Sequence, residues 1–326
     1  LPMSSLAMVA GREGTGKSTF CAWLAAQITR GQLPGEMHGK PSNVIYVVVE
    51  DSWRMTVVPR LMAAGADRSR VYRADIETLD TDDATLTLPT DNALLEEQIK
   101  ESSVGLVIID PIMSTMDDSL NENSTKQVRR VLDALAKMAD RTGCMVVGIA
   151  HFNKGSGRES VMRVSASKAF TDVPRAVFTF ADDSDTGTRV MSQSKNSLGP
   201  SRESMTYELE QTTVPTRLGP APVSKFVFTG ESATSVDDIL AQTPMGHTQK
   251  GQTRALLLSL FQERGEDTGD GSLRLPAALV NETAREEWAI STATLTRASS
   301  ELPIDKFKDG MSGGWVWILR GGGRRG

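Results

Sequence analysis

Gly11-Arg12-Glu13-Gly14-Thr15-Gly16-Lys17-Ser18 fits the phosphate-loop pattern G-x-x-x-x-G-K-[ST] without a gap or a substitution. The residues on either side suit it. Leu6-Ala7-Met8-Val9-Ala10 is an apolar run of the length of a short buried strand. Thr19 to Arg30 carries Phe20, Trp23, Leu24 and Ile28 at helical spacing, with Gly31 as a stop. Strand, glycine loop and helix together aim backbone N–H groups and a helix N-terminus at an anion. The pattern predicts a nucleoside triphosphate, taken to be ATP, held by Gly11, Gly14, Thr15, Gly16, Lys17, Ser18 and Thr19. Lys17 would reach the β- and γ-phosphates and Ser18 would hold Mg²⁺. The competing reading is a chance glycine-rich turn, which the spacing and both flanks disfavour.

Composition sets the bounds. At 326 residues the chain has room for two domains. Its net charge of −5 argues against a protein that coats nucleic acid by bulk charge, but leaves room for a local basic channel. No apolar run is long enough to span a membrane, and no secretory signal is visible. The two cysteines, Cys21 and Cys144, lie in apolar settings, which suits a reducing, cytoplasmic environment. The chain opens at Leu1 and its first strand begins almost at once, so a fragment lacking an N-terminal partner region is expected, with Met3 as an alternative start.

Farther along, Val44 to Val49 is a continuous β-branched run of the kind buried in a parallel sheet, and it ends in Glu50-Asp51. Ser52 is placed to cap a helix through Met62. Arg70 to Ala74 reads as a short strand and Asp91 to Glu101 as a helix. Gly105 to Asp110 is a second buried strand closing on an acid, the pattern of a Mg²⁺-orienting aspartate. A helix capped by Ser124 or Thr125 should run to about Arg141, followed by a strand from Met145 to Ala150 that ends in His151-Phe152-Asn153-Lys154. After Arg175 the pattern changes to strands joined by tight turns: 176–181, 188–194, 205–210 and 225–229. The expected fold is α/β, a mostly parallel sheet with an antiparallel extension. The core is assigned to 1–230, a linker to 231–247 and a small C-terminal domain to 248–326. In that domain, helices at 253–263, 275–288 and 291–300 and a hairpin at 307–319 read as a winged helix.

In an open α/β sheet, ligands sit beyond the carboxyl ends of the strands. Glu50, ending a strand expected to neighbour the first, is therefore the candidate for polarising the attacking water. A helix-capping charge is the alternative role, equally suited to Asp51. Ser18 and Asp110 form the metal side. His151 is placed either to sense the γ-phosphate or as an ordinary structural histidine.

The combination of phosphate loop, Val-Glu50-Asp51, Leu-Val-Ile-Ile-Asp110 and His151-Phe-Asn-Lys resembles the RecA/DnaB-like ATPases. Within them it is most similar to the RepA-type hexameric replicative helicases of plasmids and phages and to related AAA-type ATPases of mobile elements. The resemblance covers about residues 1–230. It implies Glu50 as water activator, His151 as γ-phosphate switch and an arginine finger acting across a subunit interface. The segment from Ser165 to Arg175 is similar to the family's small-residue loop, helix and arginine, which makes Arg175 the finger candidate. Gln193 to Pro200 resembles the Lys-Asn-Arg-x-Gly-Pro segment. Lys195 is present, but Ser197 stands where the arginine would be. Lys154, Arg158, Arg163 and Lys168, on Gly/Ser-rich loops, are the candidates for lining a channel around single-stranded DNA.

The expected activity is thus ATP hydrolysis by a ring, a hexamer, that translocates single-stranded DNA in replication, with a primase domain or protein as a further partner. The alternative is an ATP-gated assembly or regulatory protein that binds a partner through its winged helix without unwinding. A RecA-type filament is a third option. The third C-terminal helix carries only Arg297, so the winged helix has few base-reading side chains, and protein contact suits it as well as DNA.

Overall fold

A computed structural model describes residues 1–74, 86–117, 119–121, 124–152, 160, 164, 167–183, 186–200, 204–216, 219–242, 249–269, 271–288, 290–308 and 314–320. The chain divides into two compact units, Leu1–Ala241 and Gln242–Gly326.

Unit 1 is built on β1 (Leu6–Gly11), whose six residues are all buried. It leads through the glycine loop into α1 (Lys17–Thr29). Next come β2 (Asn43–Val48), one π-helical turn at Trp53–Val57 and α2 (Val58–Ala64). They are followed by β3 (Val71–Arg73), α3 (Asn92–Glu101), β4 (Val104–Asp110), α4 (Thr125–Thr142) and β5 (Met145–His151). The second half holds α5 (Ala169–Asp172), β6 (Ala176–Asp182), β7 (Arg189–Asn196), β8 (Ser204–Thr216), β9 (Gly219–Ser232) and α6 (Val236–Gln242).

The nine strands form one sheet in the order β3-β2-β4-β5-β1-β6-β7-β8-β9. β3 to β6 in that order pair parallel, and β7, β8 and β9 extend the sheet antiparallel. One expectation needs correcting. β2 does not neighbour β1; β4 and β5 lie between them. The order of a parallel sheet depends on where each crossover helix packs, which no local run of residues encodes.

Helices cover both faces. On one face α3, α4 and α5 close a core that includes Leu95, Ile99, Val131, Leu135 and Phe170. α4 shows why: Val128, Val131, Leu132, Leu135, Met138 and Ala139 recur at helical spacing and are buried, and Gly143 ends the helix at φ 75°. The other face holds α1 and α2. α1 is buried nearly all round because the β8–β9 hairpin lies across its outer side. There Phe20 and Trp23 meet Phe226 and Phe228 at ring separations of 5.2–6.4 Å. These strands are 13 and 14 residues long, well beyond the short segments expected at 205–210 and 225–229.

Unit 2 contains α7 (Gln249–Arg264), β10 (Glu266–Asp267), β11 (Leu273–Pro276), α8 (Ala277–Glu286), α9 (Thr292–Ser299), β12 (Ile304–Lys308) and β13 (Trp315–Leu319). Its antiparallel sheet has the order β10-β11-β13-β12, and its core joins Leu257, Phe261, Leu275, Val280, Leu295 and Trp317. The helix expected from Leu275 begins only at Ala277. Leu275 and Pro276 belong to a strand facing Trp317 and Val316, and the fixed φ of Pro276 suits the extended residue that precedes the helix. Among the described residues, no helix is long and apolar enough to cross a membrane.

Candidate nucleotide site

The parallel register brings the strand ends to one line. Gly11 pairs with His151 and with Phe180, and Val48 pairs with Asp110. The phosphate loop, Asp110 and His151 therefore share the carboxyl edge of the sheet, and Glu50 follows two residues past β2.

The loop itself is under tight steric control. A Cβ on Gly11 would stand 2.6 Å from the Phe180 carbonyl oxygen. Gly16 has φ +88°, and a Cβ there would meet Leu209 Cδ2 at 2.8 Å. Arg12, Glu13 and Gly14 are exposed, so the mouth of the loop is open. Thr15 Oγ1 donates to the Arg12 carbonyl at 2.8 Å, and Tyr207 Oη, on β8, donates to the Thr15 carbonyl at 2.5 Å. Gly16 precedes α1 as its N-cap with no side-chain cap, leaving the helix's first N–H groups for an anion.

Lys17 is 4% exposed and donates to the carbonyls of Gly11 (2.9 Å) and Arg12 (2.7 Å). Burial holds its pKa down to about 8, opposed by the nearby Asp110 and Glu13 carboxylates. Asp110 moves the other way: burial raises its pKa, opposed first by a hydrogen bond from Ser18. Both shifts are led by burial, and the attraction between the two groups opposes each of them. Ser18 and Asp110 together present a hydroxyl and a carboxylate, hard oxygen donors of the kind Mg²⁺ takes alongside substrate phosphates and water. No cluster of three or more acidic, His or Cys residues that could hold a metal ion occurs among the described residues.

Glu50 is exposed and accepts a hydrogen bond from Ser114 Oγ at 2.7 Å. Asp51 instead pairs with Arg60 of α2 at 2.6 Å, a tether for the turn that starts at Ser52. Ser52 caps that turn, accepting from the Met55 N–H at 3.2 Å. His151 is half-buried, and its Nδ1 is buried with no hydrogen-bond partner among the described residues. The Phe152 N–H beside it donates to the Gly11 carbonyl at 3.2 Å, tying this strand end to the loop.

Arg175 and Lys195 lie elsewhere. The Arg175 N–H donates to the carbonyl of Leu6, at the start of β1, so this residue is some five strand positions, about 17 Å, from the loop of its own chain. Its side chain is exposed. Lys195 Nζ donates to the carbonyls of Thr171 (2.6 Å) and Asp172 (2.8 Å), closing the end of α5. Burial lowers its pKa; Asp172 opposes the shift and the positive charge of Arg175 adds to it. Lys168 is exposed just before α5. Lys154, Arg158 and Arg163 lie outside the described residues.

Sequence reasoning missed the supporting residues. Tyr207 and Leu209 brace the loop from the antiparallel extension, and Ser114 orients Glu50. The Asp182–Arg189 pair (3.2 Å) stands close enough for Asp182 to act on Lys17. None of these carries a local motif. Only strand alternation, placing Tyr207 and Leu209 on one side of β8, could have pointed to them.

Residues 1–157, a little under half of the chain, match the family model described as "AAA domain". The chain is also similar to the DNA repair protein rhp57 of Schizosaccharomyces pombe, 25% identical over 153 residues that cover 44% of this chain and 42% of that protein. It thus spans less than half the length of that curated relative. Among solved structures it is similar to one described as an ATPase domain, with 14% identity and a TM-score of 0.47 over 62% of this chain and 81% of that one. Unit 1 joins a phosphate loop to a mostly parallel α/β sheet, and its first 157 residues are similar to the AAA domain family.

Proposed function

We propose that this chain is one subunit of a ring, a hexamer, that hydrolyses ATP between neighbouring subunits and moves single-stranded DNA through its centre during replication. One observation carries the reading: Arg175 and Lys195 sit at the opposite end of the strands from their own phosphate loop. Hydrolysis needs positive charge at the γ-phosphate in the transition state. With Arg175 about 17 Å from its own loop and Lys195 held at the end of α5, a role for both at the loop of another copy is the reading this placement supports. Glu50, held by Ser114, orients the attacking water, and His151, whose Nδ1 has no hydrogen-bond partner among the described residues, senses the γ-phosphate. Mg²⁺ held at Ser18 and Asp110 supplies charge neutralisation when bound. The similarity to a DNA repair protein supports DNA as the ligand. Lys168, with Lys154, Arg158 and Arg163, is assigned to the DNA channel, and a primase partner belongs to the same proposal. In unit 2 the order helix, strand, two helices and hairpin supports a winged helix.

Mixing separates this from a single-chain ATPase. Lys17→Ala subunits keep Arg175 but lose the phosphate loop, and Arg175→Ala subunits keep the loop but lose the finger. Each alone should be inactive, and an equimolar mixture should recover hydrolysis in proportion to the mixed interfaces. An Arg175→Ala protein that hydrolyses ATP at the wild-type rate would contradict the proposal.

A second reading, an ATP-gated assembly or regulatory ATPase that binds a protein through the winged helix, is favoured by one feature. Ser197 replaces the second cation of the Lys195 segment, which weakens the coupling expected of a motor.

A further inference from the structure

Unit 2 exposes an aromatic surface that its fold does not use. Cross-strand partners in a sheet share a face, and Lys308 pairs with Trp315 while Lys306 pairs with Trp317. One face of the hairpin therefore alternates cation and indole. At its inner end Trp317 is 6% exposed and belongs to the core; at its outer end Trp315 is 59% exposed. Lys306 lies 3.8 Å from the centre of the Trp317 ring and donates to Ser299 Oγ at 2.6 Å, so the cation is fixed rather than free to swing. Between this face and the start of α8 is a cleft of about 610 Å³, lined by Trp315, Trp317, Lys306, Ala278 and Asn281.

An exposed indole costs hydration free energy in the free protein, and burying it in unit 2 is not what the fold does. Phe307, also exposed, is on the opposite face with Val316 and takes no part in the cleft. The occupant must offer a flat π-face to Trp315 and tolerate, or use, a positive charge at the floor. An aromatic peptide side chain meets the first demand but gains nothing from Lys306. A nucleobase on a phosphate backbone meets both, and stacking of this kind is tolerant of sequence. A volume of about 610 Å³ has room for an unstacked base.

We infer that the cleft between the hairpin and α8 is a stacking site for a base of single-stranded nucleic acid, with Trp315 as its platform. The inference shares with the proposed function only the single-stranded ligand, and the site is separate from the ATPase core.

The test uses the full chain, with fluorescein-labelled dT₂₀ and U₂₀ and an abasic strand of the same length, read by anisotropy. Trp315→Ala should weaken dT₂₀ binding about tenfold, Trp315→Phe by no more than about threefold, and the abasic strand should bind wild type about as weakly as dT₂₀ binds Trp315→Ala. The ratio of dT₂₀ to U₂₀ affinities assigns the source, DNA or RNA. Photo-crosslinking of an oligonucleotide carrying 5-iodouracil should label Trp315. Equal affinity of wild type and Trp315→Ala, or crosslinks confined to unit 1, would overturn the inference. So would a Trp315→Ala variant altered only in self-association, which would make the cleft a protein contact. The two readings fail separately. Trp315 labelling without any effect of single strands on hydrolysis removes the motor and keeps the stacking site; stimulated hydrolysis without Trp315 dependence does the reverse.

Discussion

Lys17 spends its hydrogen bonds on the carbonyls of Gly11 and Arg12, positions from which an incoming phosphate must draw it. The same burial that fixes it there lowers its pKa to about 8. The sign of the consequence is definite. Near pH 8 roughly half of the free chains carry a neutral Lys17, whereas a bound polyphosphate favours the charged amine. Nucleotide binding should therefore take up to about half a proton at pH 8, and none from this group near pH 6, where Lys17 is already charged. Calorimetry at pH 8 in buffers of different ionisation enthalpy checks this. Binding heats that do not depend on the buffer would contradict it. For the fold itself the depressed pKa means that charging Lys17 disfavours the native state, so its contribution improves as pH rises through about 8 toward the ordinary lysine value.

At the scale of elements, the β8–β9 hairpin acts as a strap. Its aromatic residues grip the outer side of α1, and Tyr207 and Leu209 meet the loop at Thr15 and Gly16. Tyr207→Phe keeps the ring stacked on Phe226 at 4.7 Å but leaves the Thr15 carbonyl without its donor. The expected cost is about 1–2 kcal/mol of stability and a several-fold loss of nucleotide affinity. Thermal melts and nucleotide titration measure both, and wild-type values for both would show that the strap does not brace the loop. This element also marks the limit of what the chain's letters reveal. The phosphate loop, the run ending at Asp110 and the run ending at His151 are legible because a parallel strand buried on both faces is continuously apolar and stops abruptly at its polar end. β8 and β9 lack that contrast, since most of their residues are partly or fully exposed, and Pro215, Pro220 and Pro222 look like breakers. Glu50 is a candidate by its position at a strand end, and its strand is two places farther from β1 than expected. Ser114, Tyr207 and Asp182 were not found, because their roles arise from contacts across 64, 192 and about 165 residues of chain.

At the scale of the whole molecule, the residues proposed to act on ATP fall at the two ends of the unit 1 sheet. The carboxyl edge carries the loop, Asp110, His151 and Glu50, and the opposite end carries Arg175 and Lys195. A head-to-tail arrangement of copies would bring one end to the other, the heterologous contact from which rings close. Unit 2 adds a face of alternating lysine and tryptophan that is independent of that chemistry. If the proposal holds, ATP turnover by this chain serves movement along a single strand. The most direct test is steady-state ATP hydrolysis by the full chain with and without single-stranded DNA, with Lys17→Ala as the blank. Single-stranded DNA should stimulate hydrolysis about tenfold or more, and the stimulation should vanish in Lys17→Ala. A slow rate that single-stranded DNA leaves unchanged would contradict the proposal.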